Sequence, residues 1–207
     1  MCFILTILYY YRRIRDRLLG ERDIKMSTQL MFSIDLNRCI NCKTCEMACI
    51  DYHGFKDIHR RHVVTFQNSD HDSIHLSISC NHCENPICVT ICPENNFIKR
   101  RDGIVIHQAN HCRGCERCIN ACPFHAPKLN PIMNRVDKCN FCYERIDQGL
   151  KPICVENCIT NGLSVIAVNR DELKPYGFNE ANIPIMGYTN PSIYIIKKHK
   201  SNTHKEG

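Results

Sequence analysis

The sequence has no run of twenty apolar residues, the length that a helix needs to cross a bilayer. Its longest apolar stretch, Cys2 to Tyr11, supplies about ten before charge intervenes. The stretch from Ser192 to Lys200 is shorter and ends in Lys197, Lys198, His199 and Lys200. No transmembrane helix is expected. Export signals place positive charge ahead of the apolar run, whereas Arg12, Arg13, Arg15 and Arg17 follow it here, so neither a secretory nor a twin-arginine pattern is met. Neither G-x-G-x-x-G nor G-x-x-x-x-G-K-[ST] occurs, which leaves binding of nicotinamide, flavin or nucleotide through such loops unsupported. C-x3-C-x2-C is missing as well. The positions that would complete it are Asn95, His125 and Asn161, so radical chemistry on S-adenosylmethionine is disfavoured.

Apolar residues become scarce once cysteine is set aside. The 207 residues are 43% hydrophobic, but 17 of them are Cys, and without those the share falls to about 35%, low for a globular domain. The core must then be built partly from whatever the cysteines hold. A cysteine content near 8% suits a disulfide scaffold in a secreted chain. Without an export signal, metal chemistry is the better reading.

Sixteen of the cysteines fall into four groups: Cys39, Cys42, Cys45 and Cys49; Cys80, Cys83, Cys88 and Cys92; Cys112, Cys115, Cys118 and Cys122; and Cys139, Cys142, Cys154 and Cys158. Cys2 is left over. Groups one and three read C-x2-C-x2-C-x3-C, the bacterial ferredoxin run, in which three closely spaced thiolates wrap one cubane and the fourth ligates the other cluster of a pair. Two intervening residues let a loop present successive sulfurs to one cube, and three turn the fourth sulfur away along a helix. Group two relaxes one spacing to C-x2-C-x4-C-x3-C. Group four opens it to C-x2-C-x11-C-x3-C, with Tyr143 to Ile153 as an excursion. Pro93 and Pro123 follow the last cysteines of groups two and three, as the C-P ending of that run requires. Zinc sites pair C-x2-C units and have no use for a third cysteine two residues on. Four [4Fe-4S] clusters are therefore expected.

Those clusters complete the charge balance. The formal charge of +6 would otherwise suggest a nucleic-acid or anionic-membrane partner, but four all-thiolate clusters add about eight negative charges and bring the holo-protein to about −2. Scattered Lys and Arg then read as compensation, and no nucleic-acid partner is expected. Lys43, Arg113 and Arg117 lie close to ligating cysteines, as do His82, His111 and His125. Each has the means to shift a cluster potential. The favoured reading makes the cations a solvated face and the histidines loop residues near the solvent boundary.

The pattern predicts an α+β fold of two ferredoxin-like modules, with short antiparallel strands and short helices around the clusters and loop-rich connections. Strands are expected over Leu30 to Asp35, Ser73 to Ser79 and Gly162 to Val168. A hairpin is expected from Phe97 to Lys99 and Ile104 to His107 around Asp102-Gly103, because glycine accepts the positive φ of the turn. Residues 1–25 stand apart as an extra N-terminal segment, read as an overlong start with translation beginning at Met26, against a membrane-touching anchor or a disordered tail. The remaining divisions are 26–72, the first cysteine motif and a link; 73–130, a central two-cluster module; 131–168, the fourth motif, completing the outer module with 26–72; and 169–207, a docking tail.

The segments CINCKTCEMACIDY, LSISCNHCENPICVTICP, RRDGIVI, HCRGCERCINACPFHAP, DKCNFCYERIDQGLKPICVENC and NPSIYIIK resemble the iron-sulfur subunits of the dimethyl sulfoxide reductase family, within the four-cluster electron-transfer subunits of molybdopterin oxidoreductases. The resemblance covers Ser27 to about Lys197. It implies that Cys39, Cys42 and Cys45 share a cluster with Cys158, and that Cys139, Cys142 and Cys154 share one with Cys49. Likewise Cys80, Cys83 and Cys88 go with Cys122, and Cys112, Cys115 and Cys118 with Cys92. It also implies a non-catalytic subunit between a molybdopterin catalytic partner and an integral-membrane anchor that oxidises quinol in anaerobic respiration. The group-three cluster would face the anchor and the group-one cluster the catalytic subunit. Such a subunit is peripheral on the cytoplasmic membrane and, where exported, travels folded with its catalytic partner. Some relatives carry an aromatic residue at the third cysteine of group three and hold a [3Fe-4S] cluster there; Cys118 implies a cubane. Departures from the pattern are the extra N-terminus, a shorter link between groups one and two, and Cys49-Ile50 and Cys158-Ile159 in place of C-P. The same role in a formate dehydrogenase or sulfur-compound reductase, or a free polyferredoxin or redox sensor, are the competing readings.

Overall fold

A computed structural model describes residues 28–54, 58–67, 73–170 and 188–196. The segment 1–25 and Cys2 lie outside the described residues, and so does most of the tail.

The fold is α+β, with short elements throughout. Strand β1 (Thr28–Asp35) is buried along its whole interior, so both of its faces must be covered, as for a central strand. It pairs antiparallel with β8 (Leu163–Asn169) and parallel with β9 (Ile193–Ile196), giving a three-stranded sheet in the order β8-β1-β9. Phe32 sits opposite Val165 on one side and Ile193 on the other. Helix α1 (Thr44–His53) follows the first cysteine loop and stops at Gly54, whose φ of 69° makes the left-handed cap that glycine adopts at least cost. It packs against α5 (Ile153–Glu156). Strands β2 (His62–Gln67) and β3 (Ser73–Ile78) form an antiparallel hairpin.

A second, smaller assembly is made from α2 (Ile87–Ile91), packed on α3 (Arg117–Ala121), and two three-residue hairpins. The first, β4 (Phe97–Lys99) with β5 (Val105–His107), is the expected one. Its Gly103 has φ of 86°, and an added Cβ would stand 2.1 Å from the Gln29 side chain, so glycine is required twice over. The second, β6 (Lys128–Asn130) with β7 (Arg135–Asp137), is not anticipated by the sequence pattern. Its turn is closed by the Asn130 side-chain oxygen, which accepts from the Ile132 and Met133 amides at 3.0 and 2.9 Å. The excursion in group four holds helix α4 (Tyr143–Asp147).

The buried apolar residues also divide in two, with Ile104 and Cys80 joining the larger cluster. The larger cluster joins Leu30, Phe32, Ile34, Ile104, Phe141 and Leu163 with Cys45, Cys80, Cys139 and Cys154. The smaller one has Phe97, Val105 and Val136 with Cys88 and Cys118. Joints between the assemblies include the Leu30 amide, which donates to the Asp102 carbonyl at 2.8 Å, Arg60, which grips Asp137 with two hydrogen bonds of 2.6 and 2.7 Å, and Arg100, which holds Asp147 with two of 2.9 and 2.6 Å. Residues 188–196 act as a strap. Beyond supplying β9, they accept the Glu84 and Asn85 amides on the carbonyls of Asn190 and Thr189.

Candidate metal centres

The cysteine loops share a backbone pattern. The residue before the second cysteine of every group is left-handed: Asn41 (φ 58°), His82 (44°), Gly114 (67°) and Phe141 (61°). Lys43, Glu116 and Cys142 add further left-handed positions. Alternating hands along a short loop turn successive N–H groups to one side, which makes a concavity for an anion and is common around iron-sulfur centres. The loops are closed by amides that donate to sulfur. Phe141 donates to Cys139 Sγ and Val136 to Cys112 Sγ, both at 3.4 Å. The same turn recurs three residues beyond the last cysteine of groups two, three and four, at Asn95 (φ 51°), His125 (47°) and Asn161 (52°). After it, the Asn96 amide meets Cys92 Sγ at 3.4 Å and the Leu163 amide meets Cys158 Sγ at 3.3 Å.

Helix pairing then brings the groups together. With α1 on α5, groups one and four meet; with α2 on α3, groups two and three meet. Cys39, Cys42, Cys45 and Cys158 line one cavity, walled by Ile34 and Leu163. Cys80, Cys83, Cys88 and Cys122 line a second. Cys92, Cys112, Cys115 and Cys118 line a third, beside Phe97 and Val136. The remaining four also converge, since the Cys49 thiol is pushed up by burial and then by Cys139, Cys154 and Cys142 around it. Repulsion between sulfurs of neighbouring sets runs in a line: Cys45 acts on Cys154 of this last set, Cys139 of the same set on Cys80, and Cys118 on Cys88. Of the sixteen described cysteines, all free, Cys42 and Cys115 are exposed, and they belong to the two ends of that line.

Electrostatics define what such a cavity can hold. Burial, followed by the neighbouring sulfurs, raises Cys83 to about 12. Cys88 rises to about 12 for the same two reasons, with Lys138 opposing. Cys142 goes to about 12, chiefly through burial, and Cys118 to about 11. Exposed Cys42 moves the other way, lowered by a hydrogen bond from Thr44 Oγ1 at 3.4 Å. Four buried sulfurs facing one another cannot all ionise unless cations bind among them, and bound iron reverses the sign of the field. Among the described residues, no three of His, Cys, Asp and Glu stand close enough to share a single metal ion. All-cysteine donors spread around a cavity, with amides aimed at the sulfurs, fit a multi-iron cluster better than zinc.

The charged neighbours divide. Lys43, Arg113 and Arg117 are exposed, and Arg113 pairs with Glu94 at 3.2 Å, as a solvated face should. His111 and His125 are exposed as well. His82 corrects the expectation: it is buried, with Nδ1 accepting the Val105 amide at 3.0 Å and its ring edge-on to Phe141. Burial, then Lys138 and Arg61, hold it well below its ordinary range, so it is neutral. Its left-handed backbone carries the side chain inward, away from the solvent boundary. Two buried cations carry no signal in the sequence. Arg61 and Lys138 are 1% and 2% exposed, and Lys138 donates to the carbonyls of Val105 and Cys139.

Comparison with known proteins agrees with this chemistry. Residues 71–168 match the 4Fe-4S dicluster domain family. The chain is 39% identical over 197 residues to the B polypeptide of anaerobic dimethyl sulfoxide reductase from Escherichia coli (strain K12), covering 88% of this chain and 94% of that one. It is 38% identical over 144 residues to the B polypeptide of tetrathionate reductase from Salmonella typhimurium (strain LT2), covering 67% and 57%. To the formate dehydrogenase-O iron-sulfur subunit of Escherichia coli it is 31% identical over 183 residues, covering 78% and 60%.

Proposed function

Because the chain belongs to the family of iron-sulfur subunits that includes the B polypeptide of anaerobic dimethyl sulfoxide reductase, we propose that it is the electron wire of a respiratory molybdopterin reductase of that type. Its four [4Fe-4S] clusters carry one electron at a time, and the protein supplies their spacing, burial and potential. The wire would run from a quinol-oxidising membrane anchor to the catalytic subunit. The observation that carries this reading is the line of cysteine sets with one exposed cysteine at each end, Cys42 and Cys115, because a relay needs a buried middle and two accessible termini.

In this reading Cys39, Cys42, Cys45 and Cys158 hold the first cluster; Cys49, Cys139, Cys142 and Cys154 the second; Cys80, Cys83, Cys88 and Cys122 the third; and Cys92, Cys112, Cys115 and Cys118 the fourth. The three cavities and the convergence around Cys49 support the assignment. Two ferredoxin-like modules follow, sets one and two in one and sets three and four in the other, each exchanging its fourth cysteines. The fourth cluster would face the anchor and the first the catalytic subunit. No helix among the described residues is long and apolar enough to cross a membrane, which supports a peripheral position held by the anchor.

A role in a tetrathionate reductase or formate dehydrogenase uses the same wire with a different catalytic partner. Coverage favours the dimethyl sulfoxide reductase type, since this chain spans 94% of that relative but 57% and 60% of the other two. The test is anaerobic purification at native expression level with metal analysis. Recovery with a molybdopterin subunit and a full complement of cluster iron is expected. A free monomer, or zinc in place of iron, would overturn the reading. Replacing the third cysteine of group three probes the assignment: Cys118→Trp should convert one cubane into a [3Fe-4S] centre seen by electron paramagnetic resonance, and an unchanged spectrum would refute it.

A further inference from the structure

Arg61 is a buried guanidinium with no carboxylate to answer it. Its neighbour Arg60 grips Asp137, whereas no ion pair with a carboxylate is found for Arg61 among the described residues. A charge left unpaired at 1% exposure is strongly disfavoured, so an anion must face it in the working protein. Its neutral contacts position it. Nη1 donates to the Ser77 carbonyl at 3.1 Å and the Ser77 hydroxyl at 2.9 Å, Nη2 donates to the Ser79 hydroxyl at 2.9 Å, and the group lies 4.4 Å from the centre of the Phe32 ring. Nε has no hydrogen-bond partner among the described residues.

The anions that face this group are sulfurs. Burial opposes the charge on Arg61, and Cys154, Cys139, Cys45 and Cys49 outweigh it. Cys45 belongs to the first set and the other three to the second. A hydrogen bond leads to the first set: the Ser77 hydroxyl oxygen is taken by Arg61, which leaves its proton for Cys45 Sγ at 3.3 Å. Toward the second set the link is charge, since the Arg61 guanidinium pulls down the Cys154 thiol that burial pushes up.

We propose that Arg61 is a fixed positive charge shared by the first and second clusters, raising both reduction potentials together and damping the repulsion between them when both are reduced. The inference rests on the four-cluster reading above. A reduced cluster is one charge more negative than an oxidised one, so a nearby cation stabilises the reduced form. Because the cation is buried between the two sets, added salt cannot screen it as it screens a surface pair. Arg61 is a positioning residue in this scheme: it acts on the thiolate ligands through its charge and through Ser77, and takes no part in bond making.

The test is potentiometric titration, followed by electron paramagnetic resonance, of the full complex carrying Arg61→Gln, Arg61→Lys or Ser77→Ala. Arg61→Gln should move two of the four potentials negative and leave two unmoved, with the same shift at low and high salt. Arg61→Lys keeps the charge and should recover most of that shift in both. Ser77→Ala removes the hydroxyl that serves Cys45 and should move one potential of the pair. Four unmoved potentials, a shift confined to one cluster in Arg61→Gln, or an equal shift in all four would overturn the proposal. Should Arg61→Gln fail to load iron, Ser77→Ala and Arg61→Lys decide. The idea then stands if Ser77→Ala moves one potential negative and Arg61→Lys holds both near their normal values, and it falls otherwise. A wild-type complex with fewer than four clusters would instead defeat the four-cluster reading itself.

Discussion

Around β1, a strand with six consecutive buried residues, a three-stranded sheet and a ten-residue helix surround two cysteine sets. The other two sets are held by five-residue helices and two hairpins of three-residue strands, over a core whose apolar members besides cysteine are Phe97, Val105 and Val136. The same ligand chemistry is thus embedded in very unequal amounts of ordinary fold. Apolar burial contributes about 25 cal/mol per Å², so the half with fewer buried side chains must draw more of its stability from metal ligation. The half around β1 has the larger set of apolar side chains to bury besides cysteine.

Removal of iron breaks this comparison most severely. In chelator-treated protein, amide exchange over 97–137 should approach the unfolded rate while β1 and β8 keep partial protection; loss of protection in both halves at once would refute the inequality. A smaller effect comes from trimming each core in the iron-loaded chain. Phe32→Ala removes a ring 4.2 Å from that of Phe141 and should cost about 3–5 kcal/mol. Val136→Ala should cost about 2 kcal/mol. Anaerobic denaturant titration reads both, and a larger loss for Val136→Ala would reverse the ranking.

The smallest expected effect concerns acid. His107, stacked on Phe97 at 4.5 Å, is lowered to about 4, first by burial and then by Lys138, against the pull of Asp137. It is therefore neutral in the folded protein and protonated in the unfolded chain below its ordinary value of 6.5. Stability from this group is full above that value and is lost as pH falls toward the lowered one. His107→Leu should leave the melting temperature nearly unchanged at neutral pH and raise it relative to wild type near pH 5. Equal effects at both pH values would count against the assignment.

Much of this is legible in the residues. Cluster ligation demands fixed separations along the chain, so the groups beginning at Cys39, Cys80, Cys112 and Cys139 announce themselves. Gly103 marks its hairpin because the turn needs a positive φ, here 86°. The β6–β7 hairpin is not legible, since Lys-Leu-Asn and Arg-Val-Asp hold one apolar residue each, too few for a period to show, and the turn is closed by one Asn130 side chain. The parallel pairing of β9 with β1 joins residues far apart in the chain, which local propensity cannot encode. Which groups exchange fourth cysteines has no signature in spacing and is supplied by the resemblance alone. Arg60 and Arg61 make the same point at one residue's distance: one reaches Asp137 and the other is buried among sulfurs. Tertiary packing decides between them. His82 reads as a loop residue near solvent because nothing beside Cys83 in the sequence reveals the inward turn of its backbone.

The strap formed by residues 188–196 imposes an order in time. During synthesis all four cysteine groups leave the ribosome before β9 exists to lie beside β1, and before Thr189 and Asn190 can fasten the loop around Cys83 and Glu84. Until β9 pairs, the seam beside β1 stays open, and the last strand to emerge is the one that shuts it.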